Sequence, residues 1–547
     1  MFVLLSIFTS LQSYALVDMR NANYSNSWVD LEAPGVGYDM KVMRSYNSRT
    51  LFNGMFGFGW CSDFETTLST TPEGNIKISE CGAGTDIFFS PSEMSTNDIQ
   101  KTISNIVSKM KAEKKVGLTE AYFKSLASDL MNDDVKRADL AKKYGVSAAV
   151  KEGTKFLANG KEVENIVLAK NYYTRTLSDG TAQRFDMQGH LIALYDKNGN
   201  YLKLDYEKDL LKEISDNNNR RLSFKFYPNK KVKSITGPNG LTVEYKFDNL
   251  DDLSYVKNAW KNVHTYQYDD LHNLTKATWP NKQSVSLTYD KKKDWVISFT
   301  DFDKCVENYA YEFDNKDPDN HYWATVKKSC GKKETASNRY EFWHKQRGDG
   351  QYYLSRVLFN VNGLTTDISY HELTGKPVSI RKNDLRITFD YYPDGLVKTK
   401  SAPGVVQSFE WDKEIKKISQ VTTTFKDDKG KVAGTKSSQF QYDSKGNLVA
   451  AQNTDGQKIN MTYDPRGRIS SITDQAKKIV KIDYEENFGK PQIVTRPGLG
   501  SIKVSYKSTG EIMNVESKEG PSVAMQVAST FNNLLDVIAP ATAELYN

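Results

Sequence analysis

An aromatic residue returns about every twenty-one residues through most of this chain, and that period restricts the fold more than any other feature. Tyr442, Tyr463, Tyr484 and Tyr506 are 21, 21 and 22 residues apart, and Phe247, Tyr268, Tyr289 and Tyr311 repeat the same steps. Phe185, Tyr206 and Phe226 extend the series upstream, and Tyr370, Tyr391 and Trp411 continue it between the two runs. A fixed period of this length marks a repeat architecture whose units stack on their neighbours.

Each unit has the same internal order. An alternating run leads into the aromatic, as in Ile459, Met461, Tyr463 or Val285, Leu287, Tyr289, which sets these side chains on one face of a strand. A polar turn follows, such as Asp443-Ser444-Lys445-Gly446-Asn447 or Asp464-Pro465-Arg466-Gly467-Arg468. Its Asp can accept from amides two residues on, and its Gly supplies a positive φ. A second strand and a second turn complete a β-hairpin, which is unstable alone in water. Stacked edge to edge, the hairpins predict a mainly β chain: one long antiparallel sheet, coiled by accumulated twist into a barrel or partial shell. With 31 Tyr and 25 Phe but only 38% hydrophobic residues, rings supply much of the buried apolar area.

The period and its Tyr-Asp pairs at 268–269, 289–290, 442–443 and 463–464 resemble the YD-repeat/RHS family over about residues 170–515. Asp30-Leu31-Glu32-Ala33-Pro34-Gly35, Arg44-Ser45-Tyr46-Asn47-Ser48-Arg49 and Gly57-Phe58-Gly59-Trp60 resemble the domain that precedes RHS repeats. The resemblance implies a β-ribbon wound into a hollow shell, which in several members encloses a toxin released by autoproteolysis at an aspartate motif. This chain departs from that pattern: no such motif or toxin domain is evident after Tyr506, and Asp464-Pro465-Arg466-Gly467 sits inside an ordinary repeat as a turn.

Several segments lie outside the repeat. Residues 1–15, MFVLLSIFTSLQSYA, read as a signal peptide cut after Ala15, although no Lys or Arg precedes the apolar run. The alternative is a buried first strand. Residues 16–91 form the N-terminal β domain. Residues 92–168 contain a helical insertion, with helices expected over Asp98–Lys115, Thr119–Met131 and Asp133–Tyr144. The repeat array is placed at 169–515. Residues 516–547 form a helical tail, with Val523, Met525, Val527, Phe531, Leu534, Leu535, Val537 and Ile538 at its apolar positions, suited to capping the last open edge of the sheet or entering the shell lumen. No segment has the length and apolarity of a transmembrane helix. In an exported chain, four cysteines permit two local disulfides, Cys61 with Cys81 and Cys305 with Cys330; the alternative is four free thiols.

No catalytic motif stands out, and no cofactor or metal site is expected. The repeated Asp has a turn role in every unit, so abundant carboxylates carry little catalytic weight, and glycan-directed activity is the residual enzymatic reading. The net charge of +6 arises from 74 basic and 68 acidic residues with no basic block, which argues against a nucleic-acid partner. Trp260, Trp279, Trp295, Trp323, Trp343 and Trp411 become glycan-stacking candidates where they are exposed. The expected function is an exported, non-enzymatic shell or surface interaction protein whose partner is a protein cargo or a surface ligand such as a glycan. The alternative is a toxin-delivery component that encapsulates a cargo polypeptide.

Overall fold

The structure is a computed structural model. It describes residues 16–542 apart from 34, 82–85, 92–95, 114–117, 147–149, 159, 161–162, 348–351, 508–510 and 518–520. The signal segment expected at 1–15 lies outside the described residues.

One antiparallel sheet of 33 strands dominates the molecule, its strands following one another in sequence order from Lys155–Leu157 to Ile512–Ser517. Alternation fixes its packing: Val285 and Leu287, or Ile459 and Met461, are buried, while the residues between them face solvent or are half-buried. The turns form two rims of a ribbon. At the turn after Tyr442, Asp443 Oδ1 accepts from the amides of Lys445 at 2.9 Å and Asn447 at 2.8 Å, and the turn after Tyr463 repeats this through Asp464.

The barrel alternative is corrected by the strand order. The first and last strands do not pair, so hydrogen bonding around the sheet never closes. Nor does the sheet begin at residue 169. Strands Lys155–Leu157 and Asn165–Leu168 already belong to it, and they are too short for alternation to declare them in the sequence.

The chain divides into two compact units. The smaller, 63–194, carries a three-stranded sheet and the helices α1 (Thr96–Ala112), α2 (Glu120–Asn132) and α3 (Asp134–Tyr144). The Thr119 hydroxyl caps α2 by accepting from the Tyr122 amide, and Asp133 caps α3 by accepting from Lys136. Ile106, Met110, Phe123, Leu126 and Leu130 join the helices. Arg175, almost fully buried, is held by Glu80 and by Glu164, the latter at 2.8 Å.

The larger unit joins 1–62 to 195–547. Within it the ribbon meets itself rim to rim. Lys197 Nζ donates to the Gly446 carbonyl, Asn447 Nδ2 to Asn198 Oδ1, and Asn200 Nδ2 to the Arg466 carbonyl, each at 3.1 Å. Gly467, at φ +82°, is required there, because a Cβ would lie 1.9 Å from the Asn198 side chain. The strands lengthen in the middle of the array, up to the fourteen residues of Lys333–Gln346, and a Cys305–Cys330 disulfide links the two ends of the hairpin formed by Val306–Phe313 and His321–Cys330. No cysteine is free among the described residues. At the C-terminus, helix α4 spans Pro521–Thr542.

Candidate functional site

The repeat aromatics build a structure that the alternating pattern does not announce. At most of them the strand register shifts by one residue. Tyr463 pairs with Ile469 while Thr462 pairs with Ser471, so Ser470 bulges; Tyr268 pairs with Leu274 while Gln267 pairs with Lys276, so Thr275 bulges. Phe185 and Tyr311 pair without a shift.

Each bulge takes backbone groups of the residue opposite the aromatic out of the ladder, and the next aromatic supplies one of their partners. Tyr268 donates to the Leu253 carbonyl, Tyr289 to Leu274 and Tyr311 to Val296, at 2.8–2.9 Å. Further on, Trp411 donates to Val397, Tyr442 to Ile418, Tyr463 to Leu448 and Tyr484 to Ile469, all at 2.8 Å; Tyr391 with Pro377 and Tyr506 with Pro491 complete the series. The accepting residue is in each case the one paired with the preceding aromatic, so each of these nine units is locked to the one before it. Phe226 and Phe247 fill the same position without a hydroxyl, and Phe185 is fully buried. Burial raises the Tyr442 and Tyr484 hydroxyls to about 12, with Asp412 adding to the effect at Tyr442.

Over the early repeats the N-terminal segment uses the matching amides. The Val232 amide, opposite Phe226, donates to the Met55 carbonyl at 2.9 Å. The Leu274 amide, opposite Tyr268, donates to the Tyr46 hydroxyl at 2.9 Å, and the Val296 amide, opposite Tyr289, to the Ala22 carbonyl at 3.2 Å. Pro377 and Pro491 stand at the equivalent position in later units, where an amide is not needed.

A buried ion pair anchors this segment. Arg44 binds Asp30 through Nε and through Nη2, the latter at 2.9 Å, and both side chains are shielded from solvent. Arg44 Nη2 also donates to the Tyr266 hydroxyl at 3.2 Å, Tyr245 donates to Asp30 at 2.9 Å, and the guanidinium lies 4.6 Å from the Trp60 ring centre. Burial opposes the Arg44 charge, but Asp30 together with Tyr266 and Tyr245 outweighs it and raises Arg44 above its ordinary value. Burial also raises Tyr266 to about 12 and, reinforced by the Arg44 charge, lowers His264 to about 4. Trp60 Nε1 donates to the Tyr268 hydroxyl at 2.7 Å, so the ladder itself is part of the seat.

Helix α4 covers the same face of the late repeats by other means. Leu534 and Val537 pack on Val397, Phe409, Val421, Phe440, Ile459, Met461 and Ile472, with Tyr442 and Tyr463 at the margin. Val523 and Val527 pack on Val480, Ile482, Val494 and Ile502. Among the six tryptophans singled out in the sequence, only Trp260 is exposed, at 50%; Trp279, Trp295, Trp323 and Trp343 are half-buried, and Trp411 is a rung of the ladder. Arg44, Asp30, Tyr46 and Trp60 stood in motifs visible in the sequence, but their partners lie some 200 residues away and no local pattern points to them.

Two family models match the chain: a domain of unknown function, DUF6531, over residues 16–82, and the RHS Repeat over residues 435–477. No curated protein matches the sequence. Among solved structures, that of TcdB2-TccC3-Cdc42 is 12% identical with a TM-score of 0.41, covering 63% of this chain and 21% of that one. The structure of TcdB2-TccC3-TEV is 11% identical with a TM-score of 0.41, covering 90% of this chain and 27% of that one. The Tc holotoxin pore of Photorhabdus luminescens is 10% identical with a TM-score of 0.36, covering 87% of this chain and 30% of that one. The chain thus spans less than a third of each of these proteins. The RHS Repeat match falls on the hairpins that hold Tyr442 and Tyr463, and the same hairpin recurs along the sheet: the chain is a protein of the RHS/YD-repeat family.

Proposed function

We propose that this chain is a non-enzymatic wall element of an exported RHS shell, and that its ladder face serves to seat polypeptide. The observation that carries this reading is the occupancy of that face within the larger unit. The N-terminal segment lies on the early repeats and α4 on the late ones, one through backbone bonds and a buried ion pair, the other with an apolar stripe. A face that takes two unrelated kinds of segment is suited to a polypeptide guest. Toxin delivery is the form of this function to which the family resemblance points, with the guest as cargo. Disulfide-bonded Cys305–Cys330 fits an oxidising compartment, and no helix among the described residues is long and apolar enough to cross a membrane.

The test uses a chain ending at residue 517 and a labelled peptide of residues 521–547. Fluorescence anisotropy should show the peptide binding to the shortened chain, and Leu534→Asp with Val537→Asp in the peptide should abolish binding. A shortened chain that keeps its β circular dichroism but takes no peptide would refute the seating role. A panel of glycosidase, esterase and peptidase substrates should show no turnover, and activity in the purified chain would refute the non-enzymatic reading.

A further inference from the structure

Where the strands are longest, three neighbours in the sheet bring aromatic rings to one cleft. Tyr322 belongs to strand His321–Cys330, His344 to Lys333–Gln346 and Tyr352 to Tyr352–Val361. Their register sets them on one face: Tyr322 stands opposite Phe342, His344 lies two residues beyond Phe342, and Tyr352 stands opposite Gln346. The cleft measures about 400 Å³ and is completed by Asp319 and Asn320, in the turn just before Tyr322. That volume falls within the range of small-molecule sites, about 300–1,000 Å³.

Rings wall the cleft. His344 and Tyr322 are 13° from parallel with centres 5.7 Å apart, and the His344 amide donates to the Asn320 carbonyl at 2.7 Å, which holds the turn against them. Tyr352 is 58% exposed, so its ring stands at the opening rather than in the core. Burial, reinforced by the charge of Arg20, lowers His344 below its ordinary value and keeps the ring neutral at neutral pH. Arg20 is itself neutralised by Asp18 at 2.7 Å. The mouth is acidic: Asp314, Asp317 and Asp319 stand in the turn against a single lysine, Lys316. Asp314 is engaged by His321 at 3.2 Å and Asp317 by the Asn320 side chain at 2.8 Å. Asp319 is exposed and holds no ion pair among the described residues.

We infer that this cleft binds a quaternary ammonium group of the choline type. The negative faces of Tyr322, Tyr352 and neutral His344 attract a cation, and the Asp319 carboxylate supplies its counter-charge. A trimethylated nitrogen has no N–H to satisfy, so ring faces and one carboxylate are enough, whereas a primary ammonium would leave donors unpaired against the rings. A carboxylate or phosphate in the same place would meet Asp319 as a like charge. The inference does not depend on what the ladder face seats.

The experiment titrates the full chain with choline by isothermal calorimetry at matched ionic strength, beside the neutral isostere in which a carbon replaces the nitrogen. Choline should bind in the millimolar range or tighter, and the isostere should not. Tyr352→Ala should weaken choline binding about five-fold or more, and Asp319→Asn should weaken it as well. Both side chains are exposed, so both variants should keep the Tm of the parent chain. Flotation with vesicles of phosphatidylcholine and of phosphatidylglycerol separates the sources of the group. Choline binding together with capture by the phosphatidylcholine vesicles alone assigns the cleft to a membrane headgroup, and choline binding without vesicle capture assigns it to a free or polymer-borne choline. No heat with choline, equal binding of the isostere, or unchanged binding by Tyr352→Ala would each overturn the inference.

Discussion

The early and late repeats share one hairpin design and one ladder, yet their inner partners differ in kind. Over the strands from Arg221 to Thr300, the N-terminal segment accepts amide protons at bulges and buries a complete ion pair. Over the strands from Val397 to Tyr506, α4 contributes Val523, Val527, Leu534 and Val537. Backbone bonds at fixed bulges admit one register, since a slip of one residue would strand every donor. An apolar stripe admits sliding and substitution at modest cost. The lesson is that one repeat face can fix a segment's register where its bulge amides are engaged and take another segment through an apolar stripe.

Alkaline titration should break both regions together and produce the largest effect. The ladder hydroxyls of Tyr442 and Tyr484 are raised from the ordinary 10 to about 12, and so is Tyr266 beside the buried ion pair. A raised acid favours the neutral, folded form, so this stability is fully present below pH 10 and is lost as pH climbs toward 12. Far-UV circular dichroism against pH should show unfolding in that window, with the tyrosinate absorbance rising in step.

Arg44→Ala should separate the two regions. It leaves Asp30 charged and buried without its partner, and the expected loss is about 3–5 kcal/mol. Hydrogen exchange should accelerate in the strands Thr242–Phe247 and Val263–Tyr268 and stay unchanged in Lys458–Tyr463. Acceleration of equal size in both places would mean that the regions unfold as one.

Leu534→Ala is the converse test, with an expected cost of about 2 kcal/mol. Exchange should quicken in Ile418–Lys426 and Lys458–Tyr463 and leave the early strands protected. The smallest and sharpest contrast compares two ladder residues. Tyr463→Phe removes one hydrogen bond to a bulge carbonyl, for a cost of about 1 kcal/mol. Tyr268→Phe removes the equivalent bond and also the acceptor of Trp60 Nε1, and it should cost about 2 kcal/mol by thermal denaturation.

The sheet was legible in the sequence because its signal is local and repeated: Ile459, Met461 and Tyr463 are one strand face, and Asp464 with Gly467 is a turn, whatever surrounds them. The bulges were not legible. Ser470 and Thr275 are residues that any strand tolerates, and the shift they cause shows only in the pairing. The seat was half legible: Arg44, Tyr46 and Trp60 lay in recognisable motifs, but a bond from the Leu274 amide to the Tyr46 hydroxyl leaves no mark on either sequence neighbourhood. For α4 the apolar stripe could be read, whereas its landing place depends on how the ribbon coils.

The rim-to-rim contact of the larger unit has a consequence for how such a chain can change in length. Asn198 finds Asn447, and Asn200 finds the Arg466 carbonyl, only because a set number of hairpins lies between them. Duplicating or deleting one module inside that span would bring a different turn opposite Asn198, and Gly467 would no longer face the side chain it makes room for. A ribbon that touches its own beginning keeps count of its modules, so added hairpins are tolerated most readily outside the stretch from Lys197 to Arg466.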